Sequence, residues 1–128
     1  MPIEGMNHFN VLSDDVDATR GFYVGVLGLV EGERPPFGFP GLWLYAGGHP
    51  ILHISGSKLP AQRSGVIEHI AFTSTDLAGT IAQLKRHGIE HTLNRQVGTG
   101  IWQVFCHDPV GARVELDFDP SEAAPPAS

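Results

Sequence analysis

Two short strings, NHFNV at 7–11 and EHIAF at 68–72, each set a histidine at the start of an otherwise strand-like stretch, with His8 and His69 61 residues apart. Neutral imidazole nitrogens bind Zn, Fe, Ni or Mn, and they titrate near neutral pH. A third histidine, His53 in ILHI, superposes at an offset of 62 on a glutamate, Glu115 in RVEL. Two histidines with one carboxylate and open positions are the signature of non-haem Fe(II) oxygenases. A divalent cation is the economical reading of this recurrence, with His8, His69 and Glu115 as its ligands.

A lone strand histidine is more often a packed residue with a satisfied hydrogen bond. Three repeat-related histidines and a fourth, carboxylate position on one face outweigh that reading for the set. His53 is read as a fourth ligand. The open alternatives for it are a hydrogen-bond partner of a ligand or a proton carrier beside the substrate. His49 and His107 fall at hairpin turns, His87 suits a helix C-terminus and His91 opens a strand, so none of these joins the site.

The elements that must position these residues repeat as well. The offset of 61 also brings Ser13 onto Ser74, Asp15 onto Asp76 and Thr19 onto Thr80. Each opening strand runs into a helix, VDATRGFYVGVL after Asp15 and LAGTIAQLKRH after Asp76, with acidic N-caps and Gly28 or Gly88 just past the end. Val16, Tyr23 and Leu27, like Leu77, Ile81 and Leu84, form core-facing stripes. GLWLYAGGHP (41–50) aligns with GIWQVFCHDP (100–109) at an offset of 59, which pairs Trp43 with Trp102 as core or cup-wall residues. Each half therefore reads strand, helix, then three strands. One domain, 1–118, is expected, with module one at about 5–56, a linker at about 57–64 and module two at about 65–118; DPSEAAPPAS (119–128) reads as a disordered tail.

Side chains alternate along a strand, so His8 and Asn10 share one face and Phe9 and Val11 the other. The same alternation sets His69, Ala71 and Thr73 against Ile70 and Phe72, His53 and Ser55 against Leu52 and Ile54, and Glu115 and Asp117 against Val114, Leu116 and Phe118. The apolar set is expected under the helices. His8, His53, His69 and Glu115 then occupy the other face.

The chain of 128 residues is 41% hydrophobic with a mean hydropathy of −0.03, enough for one ordinary core. A formal charge of −6 argues against a nucleic-acid or anionic-membrane surface and for small-molecule partners. The single cysteine, Cys106, cannot form an internal disulfide; with no signal-like or membrane-spanning stretch, a cytoplasmic protein is expected. Asp117 shares the face of Glu115 one strand step further out, and Cys106 is expected as a packed thiol. VEGERPPFGFPG (30–41) is the candidate wall or lid, and Arg34, Arg63 and Arg95 are read as solvated surface with an anionic substrate as the alternative.

NHFNV, FYVGVLGL (22–29), EHIAF and DPVGARVELDF (108–118), in that order, resemble the vicinal oxygen chelate superfamily, also called the glyoxalase, bleomycin-resistance and dioxygenase superfamily. The resemblance covers residues 6–118. It implies an α+β fold of two βαβββ modules forming a cup-shaped mixed eight-stranded sheet, with helices on the outer face. It also implies one divalent metal per site (Fe, Ni, Zn, Mn or Co) chelating adjacent oxygens of a small substrate, at the positions of His8, His69 and Glu115. Many short members are homodimers, often with sites shared between chains, and the sequence leaves shared and intrachain module pairing both open. Glyoxalase I and its closest relatives carry glutamate or glutamine where this chain has His53.

The expected function is Lewis-acid catalysis by the metal on a substrate or intermediate with adjacent oxygens, in lyase, isomerase, dioxygenase or thiol-transferase chemistry. Glu115 or His53 would carry the proton. The rival of a different class is a metal-free small-molecule or antibiotic-binding module, like the bleomycin-binding relatives.

Overall fold

A computed structural model describes residues 2–126 and divides the chain into two compact units, Met1–Ala61 and Gln62–Ser128. All eight expected strands and both expected helical segments are present, as an α+β pair of four-stranded mixed sheets. Among the described residues no helix is long and apolar enough to cross a membrane.

The first unit runs β1 (Phe9–Ser13), α1 (Val16–Arg20), β2 (Val30–Gly32), β3 (Gly41–Ala46) and β4 (His49–Gly56). Helix α1 starts where Asp15 accepts a hydrogen bond from the Ala18 amide, satisfying one of the free N-terminal donors. It continues as a π-helical turn, Gly21–Val26, so the one long α-helix expected here is instead two kinds of helix. The wider turn lets the consecutive Phe22 and Tyr23 both reach the core, edge to face at 5.0 Å, with 5% and 0% of their surfaces exposed. Gly28, at φ 82°, ends the segment in the left-handed region, where a side chain would be strained.

The second unit repeats the order with β5 (Ile70–Thr73), α2 (Leu77–Arg86), β6 (His91–Arg95), β7 (Trp102–His107) and β8 (Arg113–Phe118). Asp76 caps α2 through the Gly79 amide, and Gly88 at φ 66° follows its end. Leu77, Ile81 and Leu84 are buried, as are Val104, Val114 and Leu116 of the sheet. Each such side chain contributes roughly 1.5–3 kcal/mol by leaving water.

In both sheets the first and last strands lie side by side and parallel, in the orders β1-β4-β3-β2 and β5-β8-β7-β6. This register sets Asn10 opposite His53 and Ala71 opposite Glu115, which reproduces the repeat offsets of 61 and 62. The third strands do not follow the expected offset of 59. Trp43 pairs with His53 and Phe105 with Glu115, so the offset remains 62 and the mate of Trp43 is Phe105. The G-x-W likeness of the two segments suggested otherwise, but ladder register and alternating burial decide which residues share a position.

Trp102 instead anchors the chain that follows β8: its indole N–H donates to the Glu122 carbonyl at 2.9 Å, and the Arg95 guanidinium lies 3.9 Å from its ring centre. Residues 119–122, expected from the sequence to begin a tail, form a turn on Asp119, and the Glu122 carboxylate accepts from the Leu77 amide at 2.7 Å. That carboxylate satisfies a free donor at the start of α2. Residues 123–126 carry no helix or strand, and 127 and 128 lie outside the described residues.

Candidate metal-ligand pairs in each module

His8 and His69 immediately precede β1 and β5, while His53 and Glu115 sit inside β4 and β8. Within module one, the parallel pairing of β1 and β4 stacks the His8 and His53 rings at 3.8 Å, 14° from parallel. Within module two, the same pairing brings His69 Nε2 to 3.2 Å from Glu115 Oε1. Each module thus gathers one pair of the candidate residues at equivalent places in its ladder. Among the described residues no group of three or more His, Cys, Asp or Glu side chains is gathered as a metal-holding cluster.

The three histidines share a proton arrangement. His8 Nδ1 lies 2.7 Å from the side-chain oxygen of Asn7, and His69 Nδ1 lies 2.9 Å from a carboxylate oxygen of Glu68. Both oxygens only accept, so both Nδ1 atoms donate. His53 is hydrogen-bonded to the backbone of Pro50, which has a carbonyl but no N–H, while its buried Nε2 has no partner. In the neutral rings this leaves the Nε2 lone pairs as the metal-accepting atoms. A neutral His69 then turns that lone pair toward a carboxylate oxygen, an arrangement of two acceptors that a proton or cation between them relieves. This donor set fits a divalent metal.

Burial lowers the pKa of His53, and the neighbouring charge of His8 lowers it further, against the opposing hydrogen bond to Pro50. Its other face is covered by Trp43, parallel at 4.0 Å and 9°. Phe37 adjoins Trp43 at 6.3 Å and stacks on Phe39 at 5.3 Å, with the Arg34 guanidinium about 5 Å from both phenylalanine rings. The 30–41 loop is therefore tied to the histidine stack through its aromatics. Arg34 also donates to the Phe39 carbonyl, Arg63 to that of Val110 and Arg95 to those of Gly100 and Pro120. All three arginines brace the chain's own loops.

In module two, Gln103 Nε2 donates to Glu115 Oε2 at 3.3 Å, and Asp117 is pushed up to about 6 by burial, by a hydrogen bond with Glu115 and by the charge of Glu115. One Asp117 oxygen is buried without a partner. Asp117 therefore keeps its proton to higher pH than an ordinary aspartate. The spacing E-x-D in RVELDF held this signal, since residues two apart share a face. An open cavity of about 610 Å³ in the same module is lined by His91, Phe105, Cys106, His107 and Arg113 among others, and by none of the four candidate ligands. Asn7, Glu68 and Gln103 were not picked out as site partners from the sequence, whereas Trp43 was read as a core or cup-wall residue; an acceptor directly before both histidines was the readable clue for the first two.

The family model of the Glyoxalase/Bleomycin resistance protein/Dioxygenase superfamily matches residues 5–116. A curated relative, "Glyoxylase I 4" of Arabidopsis thaliana, is 30% identical over 122 residues, which is 89% of this chain and 70% of that protein. A glyoxalase family protein from Bacillus anthracis superposes with a TM-score of 0.76 at 22% identity, over 91% of this chain and 96% of that one. A mutant of the fosfomycin resistance protein FosX from Listeria monocytogenes, complexed with Mn(II) and 1S,2S-dihydroxypropylphosphonic acid, superposes with a TM-score of 0.75 at 17% identity, over 91% and 93%. The two structural likenesses carry the fold. With the family model spanning nearly all of the two modules and a 30% identical relative beside it, the chain belongs to the glyoxalase, bleomycin-resistance and dioxygenase superfamily.

Proposed function

We propose that the protein is a metal-dependent enzyme acting on a small substrate or intermediate with adjacent oxygens, by lyase, isomerase, dioxygenase or thiol-transferase chemistry. His8, His69 and Glu115, with His53 as a fourth, would hold one divalent cation: Fe, Ni, Zn, Mn or Co. The observation that carries this reading is the common setting of the three histidines: one side of each ring meets an acceptor, while His69 Nε2 turns to the Glu115 carboxylate and His53 Nε2 is buried without a partner. The name of the Arabidopsis relative and the Mn(II) of the Listeria protein accord with it.

When bound, the cation would stabilise negative charge on a substrate oxygen. The chain's own residues supply the rest. Asn7 and Glu68 orient the His8 and His69 rings, and Trp43 holds the plane of His53. The carboxyl of Asp117, near 6, can hold a proton beside Glu115 at near-neutral pH. We further propose a homodimer, its sites either built within one chain or shared between chains.

Metal analysis of protein purified without a histidine tag tests the reading. Stoichiometric metal, lost in His69→Ala, is expected; the same trace metal in both proteins would favour a metal-free binding module instead. Anaerobic Fe(II) loading followed by a catechol separates the reactions: absence of oxygen uptake removes the dioxygenase.

A further inference from the structure

The surroundings of His69 differ from those of its repeat mate in a way that nothing in the ligand set requires. Its Nδ1 partner is the Glu68 carboxylate, where His8 has the neutral Asn7 amide. Glu68 is itself ion-paired through both oxygens to Arg113, at 2.8 Å for the longer contact. The Arg113 guanidinium lies 4.2 Å from the centre of the Phe105 ring, and that ring meets His69 edge on at 6.2 Å and 86°. Arg113, Glu68, His69 and Phe105 thus close a cycle in which each side chain touches the next. Among the described residues module one has no such cycle: at the offset of 62 the place of Arg113 is taken by Ile51.

From this cycle we infer that Glu68, anchored by Arg113, is a positioning residue that locks His69 in the Nδ1–H tautomer with Nε2 facing Glu115. The inference rests on the metal reading above for its purpose, but not for its geometry. Three of the four side chains are polar, and two of them, Glu68 and His69, keep 55% and 39% of their side-chain surfaces exposed. An isolated, exposed ion pair of this kind contributes little to stability. A closed cycle around one imidazole does something else: it removes the ring's freedom to flip and raises its electron density through the carboxylate. A carboxylate partner makes a neutral imidazole a stronger donor than an amide partner does, so His69 would be the firmer of the two histidine ligands at positions 8 and 69.

Long-range ¹H–¹⁵N spectra of the metal-free protein at pH 8 read the tautomer directly, and Ni(II) titration against a competing chelator reads the consequence. The expected result is an Nδ1–H His69 in the native chain that shifts toward Nε2–H in Glu68→Ala, stays Nδ1–H in Glu68→Gln, and exchanges between the two in Arg113→Ala. Ni(II) binding should weaken about 10- to 100-fold in Glu68→Ala, with Arg113→Ala and Glu68→Gln intermediate and Asn7→Ala affected less than Glu68→Ala. An unchanged tautomer in Glu68→Ala, or unchanged Ni(II) affinity in a protein whose native form binds Ni(II), overturns the inference. Should the native chain bind none of Fe(II), Ni(II), Zn(II), Mn(II) and Co(II) while the tautomer still switches, the positioning role stands and the metal reading falls.

Discussion

The Trp43 indole lies parallel to the His53 imidazole at 4.0 Å, and the His8 ring covers the opposite face of His53 at 3.8 Å. A charge placed on His53 therefore falls directly on the π-face of Trp43. Adding Ni(II) should change tryptophan emission by tens of per cent in the native protein, and Trp43→Phe should lose that response while keeping the emission of Trp102. A response of the same size in Trp43→Phe would remove His53 from the ligand set.

Asp117 carries its proton to about 6, against an ordinary value of 3.8. A raised folded-state pKa means that the stability contribution is present below about 3.8 and lost as pH rises through about 6. Asp117→Asn removes that loss. In metal-free protein the variant should melt a few degrees above the native chain at pH 8, with the gap closing by pH 4; a gap independent of pH would contradict the pairing of Asp117 with Glu115.

Cys106 is 2% exposed, and burial, with the charge of Asp108 adding to it, pushes its thiol up to about 11 from 9.0. The thiolate is the reactive form, so a disulfide-exchange reagent at pH 8 should label Cys106 only after denaturation. The same raised value gives stability that is present below about 9 and lost on going up through about 11. Prompt stoichiometric labelling of the native protein would show that this part of β7 opens readily.

Glu122 joins two ends of module two, accepting from the Leu77 amide through its side chain and from Trp102 through its carbonyl. Glu122→Ala removes the cap alone and should cost about 1 kcal/mol; truncation after Phe118 removes both contacts and should cost roughly 2–3 kcal/mol. Urea midpoints measure both. Equal stability of the truncated and full chains would show that this segment holds nothing.

The sequence was most legible where the determinants are local. Asp15 and Asp76 cap their helices and Gly28 and Gly88 follow them, because capping and positive φ depend on a few neighbouring residues. The order strand, helix, three strands in each module followed from the internal repeat, the helix caps and the alternation in the strands; the α+β class was what the family resemblance implied. Alternation also placed His8, His53, His69 and Glu115 on one expected strand face, while the pairing of β1 with β4 and of β5 with β8, which gathers them in twos, came from the structure.

What the sequence could not set is everything that depends on register or on side chains meeting across strands. Phe105, not Trp102, is the mate of Trp43 because ladder hydrogen bonds, rather than likeness of letters, decide which residues lie opposite Glu115 and His53. The π-turn under Phe22 and Tyr23 arises from two adjacent rings both being buried, a demand of packing that no local propensity expresses. Arg113 reaches Glu68 across 45 residues of chain, and only the parallel pairing of β5 with β8 brings them together. The sequence by itself determined which residue types the two modules present and on which expected face; the tertiary structure decided which nitrogen of His8, His53 and His69 meets which acceptor, because that is settled by what each ring meets in space.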